Sequence, residues 1–171
     1  MLKVRAKNAP MLKLFTQTGW RFLWLSVLIF TADQYTKMLV LDNIELYQAI
    51  QILPFFNLTH VYNYGAAFSF LADSGELQRN ILLSISIIAS LGLVVWIQKT
   101  PSSFRQRLFG QSIFLAGATG NLIDRAMFGH VIDFIDLHYD GFYWPIFNLA
   151  DSFIFLGVAL LLFEGRQLNA K

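Results

Sequence analysis

Two aspartates are the residues of this chain best suited to chemistry: Asp133 in Val131-Ile132-Asp133-Phe134, and Asp151 in Phe147-Asn148-Leu149-Ala150-Asp151-Ser152. Both lie in the stretch from Ala116 to Asp151, which carries five of the eleven carboxylates (Asp124, Asp133, Asp136, Asp140 and Asp151) between two strongly apolar runs. An Asp at the centre of a bilayer costs roughly 2.5–3.5 kcal/mol on insertion scales, so an acid kept inside or beside an apolar span marks a functional site. Two carboxylates in a partly dry pocket cannot both ionise cheaply. One pKa rises, and the pair holds a single proton. One member then deprotonates a water while the other donates to a carbonyl or a leaving amine, the division of labour that hydrolyses an amide.

Other nucleophiles and bases have less support. There is no cysteine, and His60, His130 and His138 are widely spaced without an HExxH pattern, so thiolate chemistry and a zincin-type metal site are excluded. No spacing recommends Ser152 or Ser69 as a serine activated by Lys37. Asp136 and Asp140 read as acids that stabilise the start of a following helix through its dipole. If that helix begins at Pro145, a favoured first position, Asp151 lies about 9 Å along its axis, too deep for a cap. Arg125 beside Asp124 reads as a structural ion pair, and His130 as an interfacial histidine. The residues alone leave Asp124 and Asp133 open as the partner of Asp151, since each falls near a membrane surface.

Elements that position these groups follow from composition. With 171 residues, 56 % hydrophobic and 14 % charged, the chain has too little polar surface to coat a soluble globule and reads as an integral membrane protein of one domain. Four spans are expected, at about 20–41, 80–98, 108–123 and 145–163; residues 80–98 carry no charge at all. The basic start followed by an apolar run lacks a small-x-small cleavage site, and the first span is therefore expected to remain. Residues 42–78 are rich in aromatic and β-branched types, with Asn-Tyr-Gly as an interruption, which predicts a small extramembrane sheet resting on the bilayer. Residues 125–144 are expected as a loop that brings the ends of the third and fourth spans together. Helical spacing puts Gly117, Asn121 and Asp124 on one face, Asn148 and Asp151 on another, and pairs Asp33 with Lys37.

Ten of the thirteen Lys and Arg lie in the two tails and the loop between the second and third spans, whereas ten of the eleven acids fall near the opposite side. Positive residues stay in the cytoplasm. Both termini are therefore expected inside, with the acids facing outward. Because the bases sort by membrane side, they do not indicate nucleic acid.

Five blocks in this order, DQYTK at 33–37, NYGAAF at 63–68, GNLIDR at 120–125, VIDF at 131–134 and FNLADS at 147–152, resemble the bacterial lipoprotein signal peptidases (signal peptidase II) over nearly the whole chain. The resemblance implies a bundle of four transmembrane helices with a periplasmic β-cradle and a short periplasmic helix. It implies an aspartyl dyad at Asp133 and Asp151, deciding for Asp133 over Asp124. Asp33, Lys37, Asn63, Gly65, Ala67, Phe68, Gly117, Asn121, Asp124, Arg125, Asn148 and Ala150 match positions that shape or support such a site. The implied reaction removes the signal peptide of a prolipoprotein on the N-terminal side of its diacylglyceryl-modified cysteine, in the bacterial inner membrane. The implied partners are that substrate and membrane lipid, for a monomer without metal or organic cofactor. One departure is Ala116 in AGATGN, where such proteins often have a glycine. Two rivals from other classes are a small proton-coupled transporter or channel subunit, which expects acids at the midplane of successive helices, and an assembly factor without catalysis. Asp151→Asn separates them, since an enzyme loses turnover while still binding and an assembly factor is largely indifferent.

Overall fold

Four long helices form where the apolar runs are longest, and polar residues within them turn inward. A computed structural model describes residues 18–65 and 75–169. Helix α1, Leu23–Asn43, is entered through a 3-10 turn at Gly19–Phe22; α2 is Glu76–Lys99, α3 Arg105–Phe128 and α4 Leu149–Asn169. Helix α3 is central and touches the other three. It can approach α4 closely because Gly117 faces it, where a Cβ would run into the Ala150 carbonyl and the Ile154 side chain. Among the described residues, by length and hydropathy only α2 is apolar enough to cross a membrane on composition alone. The other helices carry Asp33 and Lys37, Gln111 and Asp124, or Asp151 and Glu164.

Burial is inverted relative to a soluble protein. Asp33, Lys37, Gln111, Asp124, Asp133 and Asn148 are all at most 2 % exposed, while Trp24, Val27, Leu28, Ile88, Leu91, Phe155 and Leu162 stand on the outside. Such a continuous apolar exterior marks a surface that meets lipid or a partner rather than water. The buried apolar residues are arranged in small clusters, among them Leu25, Ile29, Ile113 and Ala116 between α1 and α3.

The sheet draws on two distant segments. Strands β1 (Ala49–Leu53), β2 (Phe56–Asn63), β3 (Val131–Tyr139) and β4 (Phe142–Tyr143) form an antiparallel sheet in that spatial order. The stretch expected as a loop, 125–144, therefore supplies half the strands. Helix α3 instead continues to Phe128 and stops at Gly129, whose φ of 80° suits a C-terminal glycine. Asp140 and Gly141, at φ 48° and 79°, make the two-residue turn between β3 and β4, an Asp-Gly hairpin turn. Asp140 is thus a turn residue and not a helix-dipole acid.

Between Leu58↔Ile135 and Val61↔Asp133 the register slips by one. Thr59 and His60 together face the single residue Phe134, which is a β-bulge, and both are buried in succession. After β4 the chain returns along β3: Phe134 and Ile135 both donate their N–H to the Phe147 carbonyl, and Phe147 N–H donates to Ile135. This pairing holds residues 145–147 extended. Helix α4 therefore begins at Leu149, not at Pro145, and Asp151 lies in its first turn rather than deep within it. Apart from the 3-10 turn at Gly19–Phe22, there is no separate short helix among the described residues.

Candidate active site

A buried lysine organises the polar interior. Lys37 Nζ lies 2.9 Å from Asp33 Oδ2 and 2.7 Å from Asp124 Oδ2, and donates to Asn121 Oδ1 at 3.1 Å. The Asp33–Lys37 spacing on α1 reaches further than a local pair, because α3 brings Asp124 to the same ammonium. Gln34 donates to Asp124 Oδ1 at 3.0 Å and to Asp33 Oδ2 at 3.2 Å. Asp124 Oδ2 also accepts the Ile132 N–H. Its two oxygens are thus both engaged, and a cation neutralises it. Desolvating such ions is costly, and only this complete set of partners offsets the cost.

The start of α4 is tied into the same cluster. Asp33 Oδ1 accepts the Ala150 N–H at 2.8 Å. Asn148 Oδ1 accepts the Asp151 N–H at 2.9 Å, and Asp151 Oδ2 accepts the Asn148 N–H at 3.4 Å. This reciprocal pair is a capping box. Asp151 is therefore a capping residue after all, and the cap is what fixes its carboxylate. Gly117 and Gly120 permit the approach: a Cβ on Gly120 would meet the Asp33 carboxylate.

Asp133 and Asp151 are joined by amides rather than by a cation. Asn148 Nδ2 donates to Asp133 Oδ1 at 2.6 Å, Asn63 Nδ2 donates to Asp133 Oδ2 at 2.8 Å, and Asn121 Nδ2 donates to Asp151 Oδ1 at 2.7 Å. Asn148 Nδ2 also reaches Asn121 Oδ1 at 3.2 Å. The Asn63 amide is oriented by Gly65, whose N–H donates to Asn63 Oδ1 at 2.8 Å from a backbone with φ 95°. A side chain there would be strained and would strike Leu82. Burial first, and the Asp151 charge second, push the Asp133 carboxyl up to about 7, against the pull of the Asn63 and Asn148 hydrogen bonds. A proton is thus held near neutral pH on one member of a carboxylate pair.

A cleft of about 760 Å³ opens over Asp133, lined by Val61 to Gly65, Gln78, Pro145 and Ile146. Gln78 donates to the Tyr64 carbonyl at 3.1 Å and steadies that wall. Asp151 borders a second, apolar cavity. One amide network, through Asn148 and Asn121, ties the two carboxylates together between these spaces.

The other expected residues fall as follows. Arg125 forms no ion pair with Asp124; adjacent residues on a helix point apart, and Lys37 holds that acid. The guanidinium donates to the Asn121 carbonyl at 3.2 Å and reaches Ser86 Oγ at 3.4 Å. His130 stacks on Tyr62 at 3.9 Å between ring centroids. Asp136 accepts from Thr59 Oγ1 at 2.7 Å and from Asn57 Nδ2, so it ties β3 to β2 instead of capping a helix. Ala67 and Phe68 lie outside the described residues. Sequence reasoning missed Gln34 and Gly120, although both lie inside quoted blocks. Among the described residues no group of three or more His, Asp or Glu side chains is arranged to hold a metal.

A family model described as Signal peptidase (SPase) II matches residues 25–165. Among curated relatives, a "Lipoprotein signal peptidase" of Pseudoalteromonas atlantica is 52 % identical over 157 residues, covering 90 % of this chain and 94 % of its own. One of Alteromonas mediterranea is 48 % identical over 154 residues, covering 90 % and 85 %. One of Shewanella amazonensis is 41 % identical over 155 residues, covering 91 % and 92 %. A solved bacterial membrane enzyme, determined by the in meso method at 1.9 Å resolution, superposes with a TM-score of 0.75 at 32 % identity, over 84 % of this chain and 91 % of that one.

Proposed function

Because this chain belongs to the signal peptidase II family, we propose that Asp133 and Asp151 are the catalytic pair of an aspartic endopeptidase. The protein is a bacterial inner-membrane enzyme that cleaves the signal peptides of lipoproteins, as its named relatives do. The reading of catalytic type rests above all on one observation: Asp133 and Asp151 are clamped by the shared amides of Asn148 and Asn121, with no cation bonded to either among the described residues.

In this mechanism Asp151 is the carboxylate that takes a proton from water, and Asp133 is the acid. Asp151 accepts from Asn121 Nδ2 and from the Asn148 N–H at the start of α4, and these two bonds aim its carboxylate. The hydroxide equivalent adds to the scissile carbonyl carbon while Asp133 gives its proton to the carbonyl oxygen, forming a neutral gem-diol. Asp151, now protonated, passes its proton to the amide nitrogen. The C–N bond breaks, and the gem-diol returns its hydroxyl proton to Asp133. The products are a carboxylic acid and an amine, and the pair ends with one proton as it began.

The polar interior and apolar exterior support all four helices as spans, since a shell of Trp24, Ile88, Leu91 and Phe155 is suited to lipid. The distribution of Lys and Arg supports a reading with both termini in the cytoplasm and the site at the periplasmic face. In this reading the enzyme works as a monomer on a diacylglyceryl-modified precursor, with membrane lipid around it. A proton-coupled transporter would need acids along the helices at mid-depth, whereas Asp133 and Asp151 lie in a strand and a first helical turn.

Purified protein in detergent, given a lipidated prolipoprotein, tests the assignment. Asp133→Asn and Asp151→Asn each lose cleavage by several orders of magnitude while still binding substrate. Full activity in either variant would return the role to Asp124.

A further inference from the structure

The hydrolytic steps use the cleft over Asp133 and leave unexplained an apolar cavity at Asp151 and a second one adjoining it. The first, about 480 Å³, is walled by Leu137, Trp144, Phe147 and Phe155 and reaches Asp151. The second, about 370 Å³, is walled by Phe55, Tyr139 and Phe142 and again by Leu137 and Trp144. Since Leu137 and Trp144 line both, these two side chains form a ridge with a trough on either side. Phe155, Trp144 and Phe142 are all well exposed, 77 %, 57 % and 64 %. So large an open aromatic surface next to an acid needs an occupant.

The chemistry of the substrate selects that occupant. In a diacylglyceryl-cysteine the thioether sulfur is only a Cα and a Cβ away from the scissile nitrogen. Its acyl chains must therefore leave from the immediate neighbourhood of the dyad. The cleft over Asp133 presents the backbone of residues 61–65 along one wall, which suits an extended peptide. A third apolar groove, lined by Trp20, Phe30, Val94 and Ile123, touches neither aspartate. Among the described residues the first trough is the apolar space lined by Asp151, and the second adjoins it across the Leu137–Trp144 ridge, whereas a smaller apolar cavity of about 220 Å³ along α4 meets it at Phe155 alone.

We propose that the Leu137–Trp144 ridge parts the two acyl chains of the substrate's lipidated cysteine, one chain entering each trough. This rests on the lipoprotein-peptidase reading above. Packing of both chains against the ridge then selects modified precursors over unmodified ones. A precursor with one acyl chain leaves one trough empty and is a poorer substrate.

The test uses the Asp133→Asn enzyme in lipid nanodiscs, with lipidated substrates that carry a diazirine in one acyl chain or in the other. A phospholipid bearing the same diazirine is the control. One chain labels Phe155 and the other labels Phe55 or Phe142, each above the phospholipid control. Both chains labelling one trough, labelling in the Trp20–Phe30 groove, or labelling no different from the control overturns the proposal. In the active enzyme a diacyl substrate exceeds its monoacyl counterpart in kcat/KM by about tenfold or more, and Trp144→Ala brings that ratio close to one. An unchanged ratio also overturns it. If Asp133→Asn cleaved normally, the dyad reading would fail instead; loss of cleavage with labels elsewhere removes only the ridge.

Discussion

Replacing Asp133 with Asn should make the protein more stable at alkaline pH while abolishing its activity. The Asp133 carboxyl is 1 % exposed and holds its proton up to about 7, against 3.8 for the same group in an unfolded chain. Between those values the folded state binds a proton that the unfolded state has lost, so stability falls as pH rises through the window. The loss is complete above pH 7 and absent below pH 4. At about 1.4 kcal/mol for each pH unit, the gap corresponds to roughly 4 kcal/mol at pH 8.5. Asparagine does not titrate and escapes this loss. Its own amide, however, meets the Asn63 Nδ2 donor, which Gly65 holds in place, so one hydrogen bond worth about 1 kcal/mol is forfeited. The net gain at pH 8.5 is on the order of 3 kcal/mol, shrinking to within about 1 kcal/mol by pH 5. Unfolding of both proteins in detergent micelles, followed by tryptophan fluorescence at pH 5 and 8.5, measures the difference directly. A variant less stable than the parent at pH 8.5, or a gain equal at both pH values, would refute the claim that a buried proton sits on Asp133.

Lys37→Met leaves Asp33 and Asp124 buried without their cation and is expected to cost about 3–5 kcal/mol, seen as a loss of monodisperse protein on size exclusion. Adding Asp33→Asn and Asp124→Asn to it restores folded protein without restoring full cleavage. Gly117→Ala drives a Cβ into the Ala150 carbonyl and is expected to lower stability by about 1–3 kcal/mol in thermal unfolding, whereas Gly92→Ala, in a helix with open space around it, does not lower the transition.

What was legible in the sequence was mostly local or carried by contiguous blocks. Helical spacing put Asn121 and Asp124 on one face, and both take part in the cluster around Lys37. The same reasoning treated 125–144 as a loop, because β3 pairs with β2 across some seventy residues and such pairing leaves no periodic trace in either segment. The Asp140–Gly141 turn was available as a hairpin signal and was overlooked in favour of a helix-dipole role. A helix start at Pro145 puts Asp151 deeper than it lies. The pairing of Phe147 with Ile135 delays that start by a turn and makes Asn148 the cap. Choosing Asp133 over Asp124 needed the family likeness, since only the third dimension reveals that Lys37 neutralises Asp124.

The supernumerary residue at Thr59–His60 decides which way Asn63 looks. Partners across antiparallel strands point to the same side, and sides alternate at each step. With the bulge, Val61 sits opposite Asp133 and Asn63 shares its side. Without it, His60 would take that place and Asn63 would turn its amide outward. The orientation of Asn63 toward Asp133 therefore hangs on an odd or even count of residues: straightening the strand with both Thr59 and His60 kept in the ladder would turn that amide away.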